Sequence, residues 1–273
     1  LLMLQVWAGC LWLGHSEVVQ SFEESCPKFF YQETPPNNAL KPQDSALICQ
    51  HYNGQPFFAT LYDKSKRIPV YSAYIYQPGN TPIQRRWLVE PQLISENLPN
   101  DMKTEKTLIK QYLVSPQLIS DSQAISQDYN NLKDWDRGHL NPKGHQSSKD
   151  GRLATFTLTN VVPQNTTLNH GAWLNYEQQT MMQESRDCKT TYVITGAVPG
   201  NMHISGGRVT VPSHIWSSAC CKTTSNQMKA WAVIAENDKN EVEILELGKL
   251  EETLAKLHGK GQVSLFHKDC PRY

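Results

Sequence analysis

Neither sign of charge is in excess in this chain: 26 Lys and Arg stand against 26 Asp and Glu. There is no whole-chain field to hold a polyanion, so any such recognition has to rest on local clustering. Long apolar runs are lacking after Leu13. That excludes a membrane-spanning helix from the rest of the chain, because about 20 apolar residues are needed to cross the hydrocarbon. Internal repeats are lacking, which excludes a solenoid. Without a clean linker, the 273 residues are most economically read as one large domain. The composition, 39% hydrophobic and 19% charged, is that of an ordinary globular protein.

The one long apolar run, Leu1 to Leu13, gives way to small and polar residues at Gly14 to Ser16. It is too short to span a bilayer and is similar to the core of a secretory signal peptide, with a buried N-terminal strand or helix as the competing reading. The sequence has no Met at position 1 and no Lys or Arg before Lys28. Residues 1–16 are therefore expected to be a signal remnant lacking its first residues, and the mature protein to be secreted. Without Cys10, six cysteines remain: Cys26, Cys49, Cys188, Cys220, Cys221 and Cys270. An even count in an exported chain favours disulfides, with fifteen pairings open. If residues 215–220 form a strand, Cys220 and Cys221 point to opposite faces and take different partners. A zinc site built from Cys220, Cys221 and His203 or His214 is the rival, and no Cys-x-x-Cys spacing supports it.

Residues 17–56 carry Pro27, Pro35, Pro36, Pro42 and Pro56 together with two cysteines. They read as an irregular arm stapled to a body at 57–273. Aromatic and β-branched residues at 57–63 and 67–76 predict a β-hairpin. Residues 91–134 predict loops and short helices. Residues 153–162 predict a strand ended by Pro163, followed by a helix capped at Thr166 or Thr167 and running to about Arg186. Strand composition returns at 191–196, 208–212, 215–220, 229–235 and 241–247, and Leu250, Leu254 and Leu257 have helical spacing. The expected fold is α+β with a largely antiparallel sheet.

Two stretches carry chemistry: Asp136-Arg137-Gly138-His139, and Asn169-His170-Gly171-Ala172-Trp173 with Glu177. Hydrolysis of a phosphodiester needs a base for water, positive charge on the phosphoryl oxygens and help for the leaving oxygen. A neutral imidazole at His139 suits the first task. Arg137 and Arg85 suit the second. A divalent cation held by an Asn169 oxygen, its waters held by Glu177, suits the third. On a straight helix Asn169 and Glu177 would stand about 80° and roughly 12 Å apart. That spacing favours an ion with one direct protein ligand and several waters, as Mg²⁺ prefers.

Together with Asn160-Val161-Val162-Pro163-Gln164, these motifs resemble the DNA/RNA non-specific endonucleases, which have the ββα-metal (His-Me finger) active site. The resemblance covers roughly residues 57–235, and the Cys-rich ends look like those of secreted endonuclease domain-containing 1 proteins. It implies that His139 is the general base and that Asn169 is the ligand of Mg²⁺, with Mn²⁺ as an alternative ion. Glu177 contacts metal-bound water, and Arg137 is the arginine of the tetrad. Arg85, rather than Arg86, stabilises the phosphoryl group. Asn160 and Gln164 line the cleft and Asp136 supports the tetrad. DNA, RNA or both are the implied substrate.

Taken singly, each of these residues has a structural explanation; their joint occurrence in order is what favours catalysis. The rival class is a secreted nucleic-acid or protein binding module on a catalytically weak nuclease scaffold. Residues 140–150 hold only Lys143 and Lys149 as cations, so substrate binding is expected to be weak or salt-sensitive. Asn165-Thr166-Thr167 is an N-glycosylation sequon, expected to make the protein a glycoprotein with a sugar near the cleft rim.

Overall fold

The computed structural model describes residues 17–273, so the expectation of a signal remnant at 1–16 lies outside the described residues. Ten strands are found there: β1 (Val18–Val19), β2 (Ser45–Tyr52), β3 (Gln55–Asp63), β4 (Ile68–Ile75), β5 (Trp135–His139), β6 (Val161–Asn165), β7 (Cys188–Ile204), β8 (Val209–Thr223), β9 (Met228–Glu236) and β10 (Glu243–Leu245). Eight form one sheet in the order β1-β2-β3-β4-β7-β8-β9-β10, every pairing antiparallel. β5 and β6 form a separate hairpin. The fold is α+β with a large antiparallel sheet.

Both faces of the large sheet are covered. Phe58, Tyr74, Val193, Ala219 and Val233 pack on one side against Leu88, Leu140, Val161 and Trp173, beneath the hairpin. Ala59, Leu61, Tyr71, Ala73, Ile194 and Ala232 pack on the other against Phe22, Phe29, Phe30, Leu250, Leu254 and Phe266. Double-sided burial explains why strands such as β3 read as continuous apolar runs with no alternation.

Three expectations are corrected. Residues 45–52, expected to be part of an irregular arm, are a sheet strand paired with β3 from Ser45↔Asp63 to Tyr52↔Gln55. The connecting Asn53-Gly54 has positive φ at both positions, 51° and 73°, the conformation of a two-residue hairpin turn. That dipeptide was the signal, and the surrounding prolines obscured it. The strand expected at 153–162 is mostly not one. Ser148 caps a helix at Lys149–Ala154, and a 3-10 turn at Leu158–Asn160 precedes β6. Its apolar residues are buried through turns, and Pro163 is tolerated inside β6 because that strand has β5 as its single neighbour. Finally, the strands expected at 208–212 and 215–220 are one strand, β8, which starts at Val209 and is continuous through Pro212.

Disulfides join Cys26 to Cys49, Cys188 to Cys221 and Cys220 to Cys270. Cys220 and Cys221 belong to the cores on opposite faces of the sheet. With both sulfurs in disulfides, the zinc reading is removed.

Glu90 is fully buried and accepts hydrogen bonds from the hydroxyls of Thr157 and Thr159, each 2.7 Å long. Burial raises its pKa; burial, then the charge of Glu90, raises that of the equally buried Glu17. A carboxyl held above its unfolded pKa stabilises the fold fully below that pKa, and the contribution is lost as pH rises through the folded value. Glu90→Gln is thus expected to raise the thermal midpoint at pH 8 and leave it nearly unchanged at pH 4. Circular dichroism melts at the two pH values measure this, and equal shifts at both would remove the explanation.

Candidate active site

Side chains alternate along β5, so Arg137 and His139 share one face while Asp136 and Gly138 share the other. Strand β6 fixes the register, with Asp136 opposite Gln164 and His139 opposite Val161. Gly138 is required here, because a Cβ would collide with the Gln164 side chain leaning across it.

The His139 ring lies between Trp87 and Phe156, with centroids 5.6 and 4.9 Å away. The Arg137 carbonyl accepts a hydrogen bond from the ring, while Nε2 is buried with no protein partner. Burial lowers the pKa of the imidazole to about 4, the Arg137 carbonyl opposes that shift, and the charges of Lys143, Arg85 and Arg137 add to it. At neutral pH the ring is unprotonated. Arg137 itself is held in place, its guanidinium 4.8 Å from the Trp87 ring and 5.6 Å from Tyr129, donating to the Ser126 carbonyl at 3.0 Å. Arg86 donates to the Tyr52 hydroxyl and lies over its ring. Arg85 is exposed, with its charge felt at both His139 and Lys143.

Asn165 caps the helix that follows, accepting from the amides of Thr167 and Leu168. Four residues on, Asn169 Nδ2 donates to Asp136 Oδ2 at 3.2 Å. A carboxylate only accepts, so the amide nitrogen must face Asp136 and the amide oxygen turns away from it. His170 Nε2 stands 3.3 Å from the same Asp136 oxygen.

The helix is not straight. It stops at Thr166–His170, breaks at Gly171 (φ −108°, ψ −111°), restarts at Ala172–Asn175 and widens into a π-turn at Tyr176–Thr180. The 80° and 12 Å separation expected for Asn169 and Glu177 therefore does not apply. Gly171 leaves room for the Asn240 side chain, whose Oδ1 accepts from the Ala172 amide at 2.7 Å and caps the restart. From the same turn Asn237 accepts from the Asn165 amide and donates to the carbonyls of Pro163 and Pro212.

Glu177 is held by a residue the sequence did not single out. His145 Nε2 donates to the Glu177 carbonyl at 2.9 Å, and its Nδ1 accepts from the Tyr74 hydroxyl at 2.9 Å. Burial keeps this imidazole neutral, with a pKa lowered to about 4. Burial pushes the Glu177 carboxyl up to about 8, partly opposed by the Trp173 indole. No sequence signal links His145 to a partner 32 residues away.

Asn160 and Gln164 depart from the cleft-lining expectation. Asn160 is completely buried; its oxygen accepts from Ser72 Oγ and the Asn141 amide, and its nitrogen donates to the carbonyls of Asn141 and Thr155. With all its bonds used inside the protein, it fixes the chain after His139. Gln164 is 1% exposed, buried against Gly138.

A family profile described as DNA/RNA non-specific endonuclease matches residues 36–267. The chain belongs to this family. It is similar to the endonuclease domain-containing 1 protein of Homo sapiens, 35% identical over 200 residues that cover 72% of the chain and 38% of that protein. Its Mus musculus counterpart is 30% identical over 249 residues, covering 90% of the chain and 47% of the relative. The chain thus spans less than half the length of either. Mitochondrial nuclease EXOG of Mus musculus is 26% identical over 171 residues, 58% of this chain and 40% of that one. Among solved structures, a chain of the EndoG/EndoGI complex superposes with a TM-score of 0.55 at 17% identity, covering 78% of this chain and 85% of its own. The two chains share a fold.

Proposed function

We propose that the chain is a secreted, metal-dependent endonuclease that hydrolyses phosphodiester bonds of DNA, RNA or both without reading sequence. The observation that carries this reading is the His139 Nε2, buried, unprotonated at neutral pH and without a protein partner. Such a nitrogen can take the proton of water as the oxygen attacks phosphorus and the phosphorus–oxygen bond to the leaving group breaks. Arg85 supplies positive charge to the phosphoryl oxygens. Burial is what chiefly keeps His139 unprotonated, and the charge of Arg137, fixed between two rings, adds to it. Asp136 acts through Asn169 by orienting its amide.

The donors fit an oxygen-preferring ion. Among the described residues no group of three or more His, Cys, Asp or Glu gathers that could hold a metal. The amide oxygen of Asn169 and the carboxyl of Glu177, whose ionisation a bound cation would favour against the burial that raises its pKa, are hard donors suited to a mostly hydrated Mg²⁺ or Mn²⁺. Asn169 would hold the ion and Glu177 its waters; the chemistry it would supply is Lewis-acid stabilisation of the leaving oxygen.

Three disulfides support an oxidising, extracellular setting, and no helix of the described residues is long and apolar enough to cross a membrane. Asn165 spends its side-chain oxygen on the helix cap, leaving the amide nitrogen to carry a glycan four residues from Asn169. Protein secreted from eukaryotic cells is expected to nick supercoiled plasmid and degrade RNA in Mg²⁺, to stop in a chelator, and to show a glycan mass on the Asn165 peptide. Retention of nucleic acid without cutting, at any metal concentration, would overturn the endonuclease reading in favour of a binding module.

A further inference from the structure

Beside Glu177 the surface opens into a groove of about 590 Å³, a size typical of small-ligand sites. Tyr76 and Pro78 line it from the chain after β4, Leu174 and Met182 from the broken helix, and the lining is mostly apolar. Lys143 contributes the cation. The groove is preformed. Arg152, 6% exposed, donates to the carbonyls of Gly79, Lys143 and Gln146. The Gln77 amide bonds the His145 carbonyl at 3.0 Å, and the Gly79 amide bonds the Gly144 carbonyl at 3.2 Å. His145, which holds Glu177, also lines the groove, so groove and catalytic carboxylate share one support.

A duplex keeps its base faces stacked inside and offers phosphates and groove edges to a protein. An apolar concavity beside Glu177 has nothing to receive from it. An unpaired strand offers a base face, which aromatic and apolar side chains bind without regard to sequence. We propose that this groove receives the base of a nucleotide adjoining the scissile phosphate, with Lys143 on a neighbouring phosphate, so that the substrate bound is single-stranded or locally unpaired nucleic acid. This rests on the endonuclease reading above.

The test compares kcat/KM for a single-stranded oligonucleotide, the same strand annealed to its complement, and an equally long single strand in which a run of nucleotides is abasic. Leu174→Ser and Met182→Ser are the variants; both residues are partly exposed, so the fold tolerates them. The single strand is expected to be cut at least ten times more efficiently than the duplex or the abasic strand. Each variant should lower kcat/KM on the normal single strand about tenfold, mainly through KM, and leave the abasic strand unchanged. Unaltered variant rates on the normal single strand would overturn the groove assignment, whatever the strand preference. Failure of the wild type to cut any of the three would instead overturn the endonuclease reading.

Discussion

His139→Ala is expected to lower phosphodiester cleavage by about a thousandfold, within the range contributed by a positioned general base. The substitution should leave the fold intact, since the imidazole makes one hydrogen bond, to the Arg137 carbonyl, and its Nε2 has no protein partner. In the wild type the base is active only when unprotonated. Its rate should therefore fall as pH drops through about 4, not through the ordinary histidine value near 6.5. The control is stability, because His139 and His145 are both buried neutral. Groups with lowered pKa give stability that is present above their unfolded value and lost as pH falls through the folded one. Rates on a plasmid substrate between about pH 3 and 9, each paired with a circular dichroism spectrum, measure both. Undiminished cleavage by the folded variant would exclude His139 as the base.

Asn169→Ala should cost about a hundredfold in turnover at fixed Mg²⁺, with part of the loss recovered at higher metal concentration. Asn169→Asp is the more discriminating change. It keeps an oxygen but removes the N–H that now donates to Asp136 at 3.2 Å, setting two carboxylates against each other. Charge toward the ion is gained while orientation is lost, so the aspartate variant should remain well below the wild type if Asp136 serves to aim the amide. Titrating turnover against Mg²⁺ for both variants separates affinity from rate; wild-type curves for both would remove Asn169 from the metal site.

The parts of the site that could be read from sequence are those made by neighbours in the chain. The tetrad on β5 and the helix carrying Asn169 are local, although the cap is Asn165 and not the expected Thr166 or Thr167, both of which fall inside the first turn. Contacts across long separations could not be read. His145 became part of the site only because the fold brings it to the Glu177 carbonyl, and Asn160 left the cleft because Ser72 and Asn141 use its oxygen. At the level of fold, the hairpin β3–β4 and the helix at Leu247–His258 followed their patterns. Burial on both faces hid the alternation that would have marked β2, and apolar residues packed through turns imitated a strand at 153–158.

The turn between β9 and β10 has the composition of a loop that tolerates any length, and on composition alone it would be a natural place to insert a tag. Its asparagines say otherwise. Asn237 grips the ends of the β5–β6 hairpin and Asn240 fills the break at Gly171. This turn is thus the clasp of the active site, fastened from some seventy residues away, and lengthening it would let the Asn169 helix swing before it disturbed anything at the insertion itself.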